Sequence, residues 1–548
     1  MGGVINVITK KPSEKPFTGV STDFGDHAQR YSLTHGMKVG IFNYWLNYSH
    51  AKSSGYRLSD DFEPEETNIG QGGGAYTAIL QEKGRRVNSA FESNNFWAKI
   101  GIEPNKNSEY YLNIHYLNRD KGFSPPVGLD ASGVRVFSRR GDQPAFTNFA
   151  RLPNYIDWGV DFDAKQKVHD KLTLKAKLFY HNHTDDYVSY SDETYSEKWA
   201  TSTYKDYILG GAFFADFQPV NWNILRLALH YKKDNHQQRD DKYLPFEESS
   251  SFTGSIGLEN EFNLIKNLSV VAGISYDWFN IDKAETSNFS GGPGYTFLGI
   301  SEIDATNADS FNPMLGLTYT FSDATKIFGS VAHKSRFPTL NELYSSRSGN
   351  PDLKPEKSWN YTVGVSRPIS TFARAGFSLF YYDVKNLITN DDPHDLGTNY
   401  NVGKIALYGF EVNFEVYPLD GLTLRADYAY EQAKNRSDDW VTDKVLYIPR
   451  HKLFLDAEYV VPVVKTKIDL GMLYVAKTYA QLPTNDDPTQ PTLKTGDYTI
   501  FDAKITQPIW KYFEGYVAVK NIFDKDYAPE YGFPAPGRSF WFGFSAKF

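Results

Sequence analysis

The sequence predicts an all-β protein, a transmembrane antiparallel β-barrel of about 22 strands with short periplasmic turns and long extracellular loops. Three observations predict it. The chain ends in an alternating aromatic strand, the same alternation recurs along its length, and short polar breaks succeed long ones in a regular order.

In the final stretch, Phe540, Phe542, Phe544, Ala546 and Phe548 share one face, while Trp541, Gly543, Ser545 and Lys547 share the other. Period two is the signature of a strand. A face with so many phenylalanines needs either a soluble core or lipid to cover it. No helical segment is at hand to supply the core, so lipid is the better match.

Composition narrows the class. Aromatic residues make up 16% of 548 residues, yet the mean hydropathy is −0.49. A helical membrane protein needs about 20 consecutive apolar residues per span, and the sequence has no such run. A barrel turns only alternate residues to lipid, so a polar average is compatible with it. There are no cysteines, hence no disulfide framework or thiolate metal site. A net charge of −8 offers no basic field for nucleic acid.

The alternation continues upstream. Tyr110, Leu112, Ile114 and Tyr116 oppose Tyr111, Asn113 and His115. Leu174, Ala176, Leu178 and Tyr180 oppose Lys175, Lys177, Phe179, His181 and His183. Leu225, Leu227 and Leu229 oppose Arg226 and His230. Tyr408, Phe410, Val412 and Phe414 oppose Glu411, Asn413 and Glu415, and Ile468, Leu470, Met472 and Tyr474 oppose Asp469 and Gly471. Charges of both signs on the second face suit a watery lumen. Short breaks fall at Glu103–Ser108, Val168–Lys171, Gln218–Asn221, Ile265–Asn267, Ser322–Thr325, Arg367–Thr371, Pro418–Gly421 and Gln507–Lys511. Long polar segments lie between them, at Lys52–Ala90, Asp120–Asn154, Asp282–Ala308, Ser335–Lys357 and Ala480–Gly496. Met1 enters a strand at once, without a signal sequence, and is expected to lie inside a longer reading frame.

Four stretches resemble the TonB-dependent outer-membrane receptor family: Gly2-Gly3-Val4-Ile5-Asn6-Val7-Ile8-Thr9-Lys10-Lys11-Pro12, then Ser335-Arg336-Phe337-Pro338-Thr339-Leu340-Asn341-Glu342-Leu343-Tyr344, then Asn350-Pro351-Asp352-Leu353-Lys354-Pro355-Glu356, and finally Asn521-Ile522-Phe523-Asp524 with Pro536-Gly537-Arg538 and the last strand. The resemblance implies residues 1–12 as the C-terminal remnant of a plug domain and residues 13–548 as the barrel. It further implies energised uptake of a scarce metal chelate across the Gram-negative outer membrane. Ferric siderophore is the first expectation, with cobalamin or haem as the alternatives within the family. Haem receptors of this kind often carry a His between the second and third stretches; none occurs from Arg336 to Leu353, and His333 lies just before. The partners implied are the chelate, a TonB-type energy-coupling complex acting through the plug, outer-membrane lipid and lipopolysaccharide, and the barrel-assembly machinery. A plugless passive pore is the reading from a different class. The resemblance calls for no enzyme activity and no cofactor. The sequence contains no Gly-x-Ser-x-Gly elbow, His-Glu-x-x-His or phosphate loop.

For ligand contacts, Arg135, Arg139 and Arg140 with Phe137 and Phe146 suit an anionic, ring-bearing chelate, because guanidinium and aromatic groups together recognise such a molecule. Self-packing of that loop is the competing reading. Asp60, Asp61, Glu63, Glu65 and Glu66 are either a solvated surface or a Ca²⁺ site. His181 and His183 are expected as lumen-facing residues bonded to neighbours rather than as metal ligands. Gly543, Ala546 and Phe548, with Phe542 and Phe544, fit the terminal pattern read by the assembly machinery, although Ala546 is small where a larger apolar residue is usual.

Overall fold

A computed structural model describes residues 11–71, 74–128, 149–290, 296–345, 348–389, 398–438, 440–483, 488–489 and 491–548. Within them the chain forms a closed antiparallel barrel of 22 strands, matching the expectation. Each strand pairs with its sequence neighbours, apart from short hairpins inside loops. The first barrel strand, Phe17–Gly25, closes on the last, Ser539–Lys547. The amphipathic period explains the closure: an open strand edge in lipid leaves backbone donors and acceptors unpaired at several kcal/mol each.

Both ends of the strand set carry the predicted asymmetry. At one end the connections span two to six residues, and every predicted short break falls there. At the other end all but one span from seven to 37 residues. The exception is the hairpin between Gly25 and Ala28, where Asp26 and His27 both adopt positive φ, at 44° and 56°. That pair of left-handed residues makes the two-residue turn whose twist matches the flanking strands, and nothing in the composition of this turn announced it.

The outward face is apolar and unusually bare. Leu178, Leu209 and Val363 are 59%, 54% and 51% exposed, which no soluble core would permit. Exposed aromatic side chains gather beside the short turns: Phe42, Trp222, Phe321, Phe372, Trp510 and Phe548. This is the position of an interfacial girdle, where rings sit at the headgroup level. The inward face is ionic. Arg226 bridges Glu259 and Glu261 at 2.6 and 2.7 Å, and Lys467 bridges Glu458 and Asp469 at 2.8 and 3.1 Å. Such pairs neutralise a wet wall across strands.

The closing seam is built by the C-terminal segment. The Phe548 amide donates to the Thr18 carbonyl at 2.8 Å and the Thr18 amide donates back at 3.0 Å. Ala546, small on a face of large rings, is buried, because Phe513 lies opposite it in register, stacks on Phe544 at 5.6 Å and meets Phe548 edge-on at 5.8 Å. Bulk missing at position 546 is supplied by the neighbouring strand. Gly543 faces the other way. A side chain there would collide with the Tyr516 ring and Asp23, whose hydrogen bond, 2.7 Å, crosses the space it leaves free.

Phe544→Arg is therefore expected to destabilise the barrel by about 2–4 kcal/mol, the cost of a cation on a lipid face near mid-bilayer. Ser545→Arg, one residue along on the inward face, is expected to cost far less. The urea midpoint of the fast-migrating band on unheated gels measures both; equal losses would show that position 544 does not face lipid.

Candidate functional site

The long-loop end of the barrel is where side chains converge, and two anchored clusters shape it. In the first, the segments following Ser53 and Lys520 fold over one another. The Tyr56 hydroxyl donates to the Pro534 carbonyl at 3.0 Å, and the Gly537 amide donates to the Arg57 carbonyl at 2.9 Å. Asn521 holds its own turn, accepting from the Lys525 amide at 2.9 Å and donating to its carbonyl at 2.8 Å. Asp524 accepts from the Asp60 amide at 2.9 Å. Leu58, Phe62 and Val127 form the small core beneath. Beside it the fully buried Arg86 donates to Gln81 at 3.0 Å and to the Pro125 carbonyl. Burial pulls its guanidinium below the ordinary arginine value.

The second cluster is made by the stretches from Ser335 to Tyr344 and from Asn350 to Glu356. Arg336, the last residue of its strand, forks onto Glu342 at 2.9 and 3.0 Å and onto Glu356 at 2.9 and 2.7 Å. Glu342 lies in the short helix Leu340–Tyr344, which Thr339 starts with a reciprocal capping box. One guanidinium thus ties a strand end, a helix and the next strand. Leu343, Tyr344 and Leu353 pack on Phe279, Ile281 and Ala284 beneath the fork. Burial alone would raise the Glu342 carboxyl, but hydrogen bonds from Arg336 and the Thr339 amide hold it below the usual range.

Between strand ends on the rim is a cavity of about 570 Å³ lined by five cations, Lys434, Lys444, Arg450, Lys477 and Lys494, against three carboxylates, Glu431, Asp443 and Asp497. Tyr474, Tyr479 and His451 supply its rings. Lys444 and Lys494 both lie over the Tyr479 ring, at 5.3 and 5.2 Å from its centre. Two ammonium groups held over one ring, with positive charge in excess, suit an anionic ligand with delocalised character. Sequence reasoning missed this set, because its members spread from 434 to 494 and become neighbours only through strand pairing. The lysines in the two flanking loops were the only signal.

The expected ligand residues Arg135, Phe137, Arg139, Arg140 and Phe146 lie outside the described residues. At the base of their loop, Arg151 pairs with Asp120 at 2.9 Å and Lys121 lies 5.0 Å from the Phe123 ring centre. The acidic run is split among partners: Asp60 pairs with Arg57 at 2.6 Å and Glu63 with Lys83 at 2.7 Å. Among the described residues, Asp60, Asp61, Glu63, Glu65 and Glu66 gather into no metal-sized group. His183 bonds to Asp185 at 2.8 Å, as a lumen-facing histidine should. His181 does not share a site with His183; its ring meets His115, 5.1 Å away between centres.

A closed 22-strand barrel with an apolar belt, an ionic lumen and an anchored loop crown defines a large barrel of the transmembrane type. The family model described as TonB dependent receptor-like, beta-barrel matches residues 96–522, and the chain belongs to that family. Among solved structures, it resembles a copper transporter, OprC, at 15% identity and a TM-score of 0.79, over 98% of this chain and 81% of that one. It also resembles the FrpB iron transporter from Neisseria meningitidis at 13% identity and a TM-score of 0.75, over 97% and 81%. The ferric-catecholate import receptor Fiu from E. coli matches at 16% identity and a TM-score of 0.75, over 100% and 83%. Identities this low speak to fold.

Arg336→Ala is expected to strand the buried Glu356 at a cost of about 1–3 kcal/mol and to open residues 337–355 to protease while the folded gel band persists. Loss of the folded band would assign Arg336 to the barrel rather than to the loop. Because the Glu342 carboxyl is held low in the fold, the stability it lends is complete above the ordinary glutamate pKa of about 4.3 and lost as pH falls through the depressed value. The protection factors of the 340–344 amides, exchange corrected for its intrinsic pH dependence, should accordingly fall on acidification below that point; protection lost on alkalinisation instead would contradict the assignment.

Proposed function

We propose that this barrel takes up a scarce anionic metal chelate, a ferric siderophore in the first instance, across the Gram-negative outer membrane by TonB-coupled transport. The rim cavity carries the proposal: excess positive charge over a tyrosine ring is chemistry for a catecholate or carboxylate chelate. Two of the similar structures are an iron transporter and a ferric-catecholate import receptor, which favours iron over cobalamin or haem. Arg135, Arg139, Arg140, Phe137 and Phe146 remain proposed as further ligand contacts from the neighbouring loop.

Residues 1–12 are proposed as the end of a plug through which the TonB-type complex acts, and residues 13–548 as the barrel. Phe542, Phe544, Ala546 and Phe548, with Gly543, are proposed as the signal read by the assembly machinery, and the apolar belt as the surface facing lipid and lipopolysaccharide. No covalent chemistry is assigned to the barrel.

The double variant Lys444→Glu/Lys494→Glu is expected to weaken binding of a ferric catecholate by tenfold or more, about 1.4 kcal/mol or above, and to slow iron-limited growth with the folded band intact. Calorimetry on the purified chain measures it. Unchanged affinity in this variant and in Arg139→Glu/Arg140→Glu would remove the anionic chelate from the proposal. Steady ion conductance through the full-length protein, with no ligand bound, would favour the passive pore.

A further inference from the structure

The wall of the lumen carries a second constellation, remote from the rim. We propose that His115, His181 and Asp161 form a binding site for a single divalent transition-metal cation, taken up as the aquated ion. Three adjacent strands bring the residues together: Ser108–Phe123, Phe149–His169 and Leu172–Tyr190. In their register His115 pairs with Gly159, and Gly159 pairs with His181. Two imidazoles therefore flank one glycine, all on the inward face. Period two along the middle strand puts Asp157 and Asp161 on that same face, one on each side of Gly159.

Gly159 makes the convergence possible. A Cβ at this position would run into both the His115 and the His181 rings. Without it the rings lean over the bare backbone and meet edge to face, their centres 5.1 Å apart at 85°. One donor atom from each of His115, His181 and Asp161 then lies within 4.8 Å of the other two, the spread that a single cation spans. One outer partner is in place as well. Asp157 sits 2.9 Å from His115 Nε2, the kind of carboxylate contact that fixes ring orientation and leaves the other nitrogen for metal. Asp161 lies 3.2 Å from His181 Nε2.

Other groups face the site. Lys177 reaches Asp161 at 3.3 Å and would have to swing away from a bound cation. His183 approaches Asp157 at 3.7 Å while bonding to Asp185 at 2.8 Å. Simple charge balance accounts for each histidine–aspartate pair taken alone. It does not account for two imidazoles drawn together over a glycine. Two imidazoles and one carboxylate, with no thiolate in the chain, suit Zn²⁺, Cu²⁺ or Ni²⁺ rather than Ca²⁺ or Mg²⁺, which prefer all-oxygen shells. Three protein ligands also leave a coordination position open to water.

The test uses the purified full chain in detergent, stripped with chelator and titrated with Co²⁺ alone, the metal's visible absorption reporting its ligand field. One equivalent per chain is expected, displaceable by Zn²⁺. His115→Gln and His181→Gln are each expected to weaken Co²⁺ binding by about tenfold or more, and Gly159→Ala to do the same by pushing the rings apart. His236→Gln, whose ring pairs with Asp206 further round the wall, should leave binding unchanged. Heat-modifiable migration confirms that each variant is folded, and the histidine variants decide the matter if Gly159→Ala does not fold. Absence of Co²⁺ binding to the unaltered chain, or binding that survives in the His115→Gln/His181→Gln double variant, would overturn the proposal. Chelate affinity at the rim is measured separately, so neither result depends on the other.

Discussion

The pairing of the first strand with the last is the constraint on which everything else rests. In hydrocarbon no water is available for an unpaired amide, so the sheet must end where it began. Here that means joining Val20 to Ala546 and Thr22 to Phe544, residues more than five hundred positions apart. Closure of an antiparallel sheet requires an even strand number, which brings the start of the first strand and the end of the last to the short-turn rim. It also fixes the register of the final strand, because a slip of one residue would turn Phe540, Phe542 and Phe544 into the lumen. The reciprocal bonds between Thr18 and Phe548 and the ring of Phe513 over Ala546 hold that register at the place where no hairpin turn can.

Closure also separates two electrostatic regimes. Along the lumen, cations and carboxylates alternate across strands and cancel locally, as in the pairing of Arg425 with Asp456 at 2.6 Å and Glu415 at 3.3 Å. Around the rim cavity the cations outnumber the acids, and two of them rest on a tyrosine instead of a carboxylate. On the proposed function, a neutralised wall below a cation-rich cavity draws an anion to that cavity without binding it equally along the whole length.

Much of the fold was legible because a barrel imposes one rule on every strand. Period two named the lipid face, and the short breaks named the turn end. The Asp26–His27 turn was not legible, since neither residue is a glycine and its positive φ values follow from strand twist. The stretches around Arg336 and Asn521 were visible as a resemblance, but not the reason for them. Nothing local shows that Arg336 will fork onto two glutamates, one six and one twenty positions away. The rim lysines were hidden for a related reason: sequence gives the face of a strand, whereas register gives its neighbour.

The wall histidines sharpen that distinction. Alternation put His181 and His183 on one face, so they read as a pair, yet residues two apart on a strand stand about 7 Å apart along it and diverge to different partners. The closer contact runs across strands, from His115 over Gly159 to His181, and all three positions must be in register for it to exist. A glycine in a strand interior ordinarily weakens it and calls for a reason. At Gly543 the reason is room for the hydrogen bond from Tyr516 to Asp23; at Gly159 it is room for two imidazoles. Because these groups stand on paired strands rather than on loops, their spacing is set by the same backbone ladder that seals the barrel. The wall site is therefore as rigid as the fold, whereas the rim depends on loops that Arg336, Asn521 and Arg86 must anchor one by one.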